Sequence, residues 1–397
     1  MDLRIAINGA GIAGTALAFW LRRAGHEVLL VEQAPRPRTG GYIIDFWGIG
    51  YDIADRMGLI PAIRARGYRV QEVRLVDRAG RACGGFPVDA FVRVTHGRFT
   101  SVRRSDVAGV LFEALDPGVE KIFGDSIAAI EPAGERVRIA FDHAPPREVD
   151  LVVGADGLHS RVRTLAFDAE ARFEVPLGYH VAAFEAEGYR PRDELVYVSH
   201  GIPGRQVSRF SMRGDRTLFL FVLRDEYLPA TPLASDAERK AALAHAFQGA
   251  GWECPRILEA LHRTEDLYFD RVSQIRMPRW SAGRVALAGD AAACVSFLAG
   301  EGTGLAIAEA YVLAGELLER AHDVPGALAR YEERLLPFLR RKQAGAAKLA
   351  SSFAPATAAG LAFRNAASRL MRIPSVAEWL LGRDLRDEVD LPAYSFP

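Results

Sequence analysis

Hydrophobic and polar positions change rhythm along this chain, and each rhythm predicts a different kind of element. Leu3 to Asn8 reads as a strand; after a glycine turn comes a helical stretch that stops at Gly25, then a second strand ending at Glu32. Val149 to Gly154 and Arg284 to Ala288 are nearly all apolar, as strands covered on both faces are. Between residues 172 and 275 the pattern differs. Leu195 to His200, Gln206 to Met212 and Thr217 to Arg224 read as strands separated by turns at Gly201 to Gly204 and Arg213 to Asp215, the punctuation of an antiparallel sheet. Residues 69 to 102 also read as short strands, with turns at Arg78 to Arg81 and Thr95 to Arg98.

A 3.6-residue period marks the helices. Val107, Val110, Leu111, Ala114 and Leu115 share one face behind Ser105, the expected cap,. After a Pro/Arg/Gly-rich loop from Ala34 to Gly41, the segment Tyr42 to Gly58 predicts a short strand and a helix. A further helix is expected over 304 to 321, and 325 to 382 is helical in pattern, with an Ala-rich part at 344 to 362 that is either packed through small residues or loosely held. The predicted fold is α/β. A Rossmann-like domain (1–68, 103–171 and 276–340) is interleaved with a mainly antiparallel β-sheet domain (69–102 and 172–275), and a helical segment (341–397) closes the chain.

Composition narrows the function. With 397 residues and 49% hydrophobic content, the chain is long enough for two packed domains. Fifty basic residues balance fifty acidic ones, which favours neither nucleic acid nor a stable membrane association. Three widely spaced cysteines without a C-x-x-C pair argue against a disulfide framework or a metal site and for a reducing, cytoplasmic setting. No apolar run reaches ~18 residues, so neither a signal peptide nor a membrane span is expected. A small-molecule ligand and a monomer or weak homodimer are the expectation.

The strongest chemical signal is Gly9-Ala10-Gly11-Ile12-Ala13-Gly14 between a strand and a helix, with Glu32 after the next strand. This is the spacing of a dinucleotide-binding βαβ unit: Gly9 for the turn, Gly11 for backbone approach to a pyrophosphate, Gly14 for close packing, and Glu32 for a ribose. Two more motifs stand at strand ends, Gly154-Ala155-Asp156-Gly157 and Ala288-Gly289-Asp290-Ala291-Ala292. The three together, in this order, resemble the flavoprotein monooxygenases of the para-hydroxybenzoate hydroxylase type. Gly40-Gly41-Tyr42-Ile43-Ile44-Asp45 and Ala299-Gly300-Glu301-Gly302 are most similar to tetracycline-inactivating and polyketide-tailoring members. The resemblance spans essentially the whole chain, including Tyr331-Glu332, Arg334 and the terminal Leu391 to Tyr394.

The resemblance implies FAD as the resident cofactor, NAD(P)H as a transient reductant, O2, and a small aromatic or polyketide-like substrate attacked through a flavin C4a-hydroperoxide. Asp290 is placed to accept from a ribityl hydroxyl, although a helix cap is the plainer reading; Gly289 gives the cofactor chain room. The loop Gly300, Gly302 and Thr303 leads into a helix whose N–H groups can face the flavin pyrimidine, or is a plain turn. Gly41 joins the cofactor-binding positions by resemblance. Asp156 and Arg163 match the family's D-G-x-x-S-x-x-R segment, assigned to FAD and NAD(P)H contacts, against the alternative of a capped helix with surface arginines. Arg104 corresponds to the arginine ahead of the helix lying against FAD, with Arg103 as the competing assignment. No side-chain nucleophile or triad stands out. His180 and His200 are candidates to orient or deprotonate a phenol, and Tyr197, Phe210, Met212, Phe219, Phe221 and Phe297 are candidate pocket walls, with core packing as the alternative for each. Ala291 to Leu298 departs from the family, which usually carries histidine at Ala293 and proline at Ser296 or Phe297. Other readings are a same-fold reductase or halogenase, or a catalytically silent FAD-binding partner protein.

Overall fold

Arg4–Asn8, the helix Ile12–Arg23 and Glu27–Glu32 form the opening βαβ unit, with Ile5 to Asn8 paired in parallel to Val28 to Val31. The computed structural model describes residues 2–37, 42–378 and 389–397, apart from the side chains of 348–350. Gly9 has φ +109°, and a Cβ there would stand 2.5 Å from the Ala155 carbonyl oxygen; one on Gly14 would stand 1.9 Å from the Gly9 carbonyl oxygen. Only glycine lets strand, turn and helix close so tightly.

Among the described residues, Arg4–Asn8 lies near the middle of a six-stranded sheet. Its order is Ser281–Ala282, Val285–Leu287, Leu151–Gly154, Arg4–Asn8, Glu27–Glu32, Glu120–Phe123, parallel except at the first edge. Three strands from distant parts of the chain thus end side by side at Gly9, Ala155 and Ala288. A second sheet of seven strands runs Tyr268–Ile275, Glu174–Glu187, Arg216–Arg224, Arg205–Met212, Val196–Ile202, Glu72–Val76, Ala82–Pro87. It is antiparallel except where Val196–Ile202 meets Glu72–Val76. The expected α/β class, with a Rossmann-like sheet, an antiparallel sheet and C-terminal helices, is the observed one.

The seven-stranded sheet has two unlike faces. One packs Ala182, Phe184, Phe219, Phe221 and Leu223 against the helices Asp236–Ala246 and Cys254–Arg263. The other carries Ala183, Phe210, Met212 and Leu218 and turns toward Ile43 and Phe99. Those two residues belong to an antiparallel ribbon, Ile43–Trp47 with Phe99–Arg103. Ile44, Phe46 and Val102 sink into the core of the first unit, so the ribbon is the floor of a cleft whose roof is the sheet.

Several local expectations change. Phe99–Arg103 pairs with the ribbon and not with the large sheet, and Asp89–Val94 is a helix. Ser105 does not cap its helix, which starts at Arg104 with Arg103 in the N-cap position. Residues 127–149 form a three-stranded antiparallel sheet in which Arg136–Phe141 alternates exposed and buried positions while Ile127–Ala133 does not. The helix Val324–Phe353 runs without a break through 340/341, and the Ala-rich stretch is interrupted between Phe353 and Ala358, where Pro355 disfavours helix in the residue before it.

Candidate active site

The groove above the three strand ends is lined by helix starts and carboxylates. The N-terminus of Ile12–Arg23 has Gly11 in the cap position and no side chain satisfying its first turn. A Cβ at Gly11 would meet nothing within 4 Å, so the first-turn N–H groups open onto the groove. Glu32 accepts from the backbone N–H of Ala10 at 2.8 Å and of Ala34 at 3.0 Å. Each of its oxygens retains a lone pair for a ribose hydroxyl.

Gly289 adopts φ +66°, and a Cβ there would stand 2.7 Å from the Cβ of Ala13. The turn is held from beneath by Glu309, which accepts the Gly289 N–H at 2.7 Å and the Tyr331 hydroxyl at 3.2 Å. Burial raises the Glu309 carboxyl well above the ordinary range, against those two bonds. Glu309 was missed from the sequence, although a single acid inside the apolar run Leu305 to Val312 is a signal,. Asp290 opens the short helix Asp290–Ala293 and lies close to Gly302. Gly300 is left-handed, and Gly302–Glu319 starts with no side-chain cap, its Thr303 buried. Gly41 lies outside the described residues.

Arg104 donates its backbone N–H to the Tyr42 carbonyl at 3.0 Å. Burial pushes the Tyr42 phenol up to about 12; the Arg104 charge opposes this, while Asp290 and Cys294 add to it. These four side chains therefore share one neighbourhood. Arg103 instead reaches Glu185 of the large sheet at 2.7 Å. Phe297 lies between Tyr42 (centroids 4.3 Å apart) and Tyr268 (5.9 Å, stacked). Its turn is held by Ser296, whose hydroxyl accepts the Leu298 N–H at 3.2 Å.

Six assignments change with the geometry. Arg163 is 0% exposed and donates to the carbonyls of Ala291 and Leu158 at 3.1 and 2.6 Å, so it ties the 158–163 loop to the Asp290 helix instead of meeting a surface phosphate. Burial lowers its pKa from the ordinary value. Asp156 accepts from Ser160, Arg161, Val162 and Asn8 and knots a strand to the helix Arg161–Ala166. His180 bonds Asp225 at 2.8 Å, and His200 has its ring nitrogens 3.1 and 3.0 Å from the carbonyls of Val76 and Ala250. Both stand on the helix-covered face, as strand alternation requires of residues in step with Ala182 and Phe184. Phe219 and Phe221 are there too, packed on Phe184, Tyr189 and Phe247, so none of these four faces the cleft. Tyr197, Phe210 and Met212 lie on the opposite face, toward the ribbon; Phe210 and Met212 are 1% exposed and packed with Tyr68 and Val70, and half-buried Tyr197 stands 4.6 Å from Phe210.

The donor set fits FAD: two open helix starts for anionic or electron-rich groups, a carboxylate at each end of the groove, and a glycine turn beside Ala13 through which the cofactor chain passes. Comparison with known proteins agrees. Residues 2–344 match the family model described as FAD binding domain. An uncharacterized protein of Mycobacterium tuberculosis (strain H37Rv) is 37% identical over 349 residues, 85% of this chain and 91% of that one. A flavin-dependent monooxygenase from an unknown prokaryotic organism is 31% identical over 358 residues, covering 88% and 90%. The crystal structure of tetracycline destructase Tet(51) superposes with a TM-score of 0.83 at 29% identity, covering 99% of this chain and 100% of that one. With its cofactor groove, its cleft and these relatives, the chain belongs to the FAD binding domain family, among the flavin-dependent monooxygenases.

Proposed function

We propose that this protein uses NAD(P)H and O2 to insert one oxygen atom into a small aromatic or polyketide-like substrate, as a tailoring or antibiotic-modifying step. The observation that carries this reading is the meeting of the Asp290 and Gly300–Thr303 segments with an aromatic-walled cleft at Tyr42 and Phe297. In the overall balance, substrate C–H, O2, NAD(P)H and a proton give substrate C–OH, NAD(P)+ and water. FAD, when bound, relays the two electrons from NAD(P)H to O2.

The chain's own residues bind and orient. The Gly11 helix start takes the pyrophosphate, Glu32 the adenosine ribose and Asp290 the ribityl chain. The N–H groups at Gly302 and Thr303, at a helix start without a side-chain cap, would hold the flavin pyrimidine and favour negative charge there. Arg104 approaches from the Tyr42 side. Tyr42, Phe297 and Tyr268 keep water from the reacting edge, and Tyr197, backed by Phe210 and Met212, faces the substrate.

The test is product mass spectrometry with a panel of phenolic polyketides, tetracycline included, under 18-O-labelled O2 with NADH or NADPH. A product heavier by one labelled oxygen, formed alongside substrate-stimulated NAD(P)H oxidation, is expected. Turnover without label points to a reductase, and absence of substrate-stimulated oxidation points to a silent FAD-binding protein.

A further inference from the structure

The ribbon carries a carboxylate that the cofactor site does not use. Asp45 and Ser101 are cross-strand partners, and the Ser101 hydroxyl donates to Asp45 Oδ1 at 2.5 Å. Because its neighbours Ile44 and Phe46 are buried in the core below, strand alternation turns Asp45 upward with Ile43. Ile43 and Phe99 pack in one cluster with Tyr197, Phe210 and Met212, so Asp45 and Ser101 lie within an otherwise apolar cleft. Protein crowds the carboxyl enough for burial to raise it above its ordinary value, with the Ser101 bond opposing, yet the residue is exposed to water. A small recess also joins Asp45 to Gly300 and Glu301, the loop assigned to the cofactor ring.

No cation pairs with Asp45 among the described residues; the groups around it are Ser101, the Tyr197 phenol, which feels the Asp45 charge and bonds Ser101, and Tyr68 behind it. Glu301, paired with Lys342 at 3.0 Å, lines the same recess from the glycine loop, and the Arg103–Glu185 pair closes the ribbon end. Asp45 accepts one hydrogen bond from Ser101 and keeps further lone pairs that water now reaches, which a ligand donating a hydroxyl can occupy instead,. Resting on the monooxygenase reading, we propose that Asp45 is the catalytic acceptor for the substrate's phenolic or enolic hydroxyl, holding that edge of the substrate beside the cofactor ring. When the adjacent carbon attacks the activated oxygen, the O–H bond breaks, its proton goes to Asp45 and its electron pair enters the substrate π-system. The transferred oxygen comes from O2 and the two reducing electrons from NAD(P)H.

The probe is 4-nitrophenol, whose neutral and ionised forms absorb differently, bound to the FAD-loaded protein across neutral pH. Wild type should hold the probe neutral, because a neighbouring carboxylate accepts from the phenol and repels the phenolate. Asp45→Asn should raise the bound phenolate-to-phenol ratio roughly tenfold at a given pH, and Asp45→Glu should restore the neutral form. Should Asp45→Asn fail to load FAD, Ser101→Ala serves instead and should weaken probe affinity several-fold. Equal ionisation in wild type and Asp45→Asn, or unchanged affinity in Ser101→Ala, overturns the role of Asp45. No binding to wild type overturns the hydroxyl-donor class of ligand. Failure of the monooxygenase reading looks different: Asp45-dependent probe ionisation would persist while no labelled oxygen entered any product.

Discussion

The two faces of the seven-stranded sheet are made by the same strands, yet they differ in how their ionisable groups are partnered. On the helix-covered face Phe184, Phe219, Phe221 and Phe247 fill the core, His180 is paired with Asp225 and His200 has a carbonyl beside each ring nitrogen, while the Ser211 and Thr217 hydroxyls are buried without partners. Toward the cleft, Tyr197 and Phe210 sit above a ribbon whose Asp45 has a serine partner and no cation among the described residues. A charged group that already has an ionic partner offers little to a ligand; a carboxylate with only a serine partner keeps lone pairs for one. Aromatic and histidine content alone does not separate the two.

The comparison breaks hardest at Phe221. It is 1% exposed and meets Phe247 edge-on at 4.9 Å, so Phe221→Ala should cost about 3 to 5 kcal/mol of stability. FAD affinity of the folded fraction should stay near wild type. Urea unfolding combined with FAD fluorescence separates the two quantities. A variant as stable as wild type but altered in substrate binding would move Phe221 back to the cleft.

The cofactor side should respond in the opposite sense. Asp290→Ala removes the acceptor assigned to the ribityl chain and should weaken FAD by about 1 to 3 kcal/mol, with little change in the apoprotein's unfolding. Glu309→Ala should act in the same direction through the turn, since it leaves the Gly289 N–H buried without its 2.7 Å partner. Equilibrium dialysis of FAD reads both. If Asp290→Ala retains wild-type affinity, the carboxylate is only a helix start.

These contrasts also show what the sequence could carry. The tight turn at Gly9 and the close packing at Gly14 were legible, as was the place of Glu32 at the next strand's end, because within one βαβ unit spacing is geometry. Glu309 was legible in principle as an acid within an apolar helix. Arg163 was not: Arg161 and Arg163 share a six-residue helix, but one reaches out to Asp142 while the other turns into the core, and the motif is blind to that. The period of two groups His180 with Phe184 and Tyr197 with a different set, but which face is covered depends on helices about fifty residues further on. Asp45 stood in a recognisable segment, and its meaning appears only when Ser101 pairs with it across the ribbon.

The smallest effect belongs to His159, which joins the two units where His180 and His200 stay within one. Its Nδ1 lies 2.6 Å from Glu170 and its Nε2 3.4 Å from Asp270 of the large sheet. Hydrogen bonds to Asp270 and then Glu170, offset by burial, raise it from 6.5 to about 9. Because the folded value lies above the unfolded one, the stabilisation is fully present below about pH 6.5 and fades as pH rises through about 9,. The side chain is 58% exposed, so solvent screening holds the contribution to roughly 0.2 to 1 kcal/mol. Arg163 stands 3.9 Å from Glu170, and Tyr268 lies 3.5 Å from Asp270; these groups share the same carboxylates and moderate the effect further. The difference in urea midpoint between wild type and His159→Gln should be largest near pH 6, shrink toward pH 9.5 and diminish with added salt. A difference independent of pH would assign His159 to packing alone and leave the two units without a charge-dependent link at this edge.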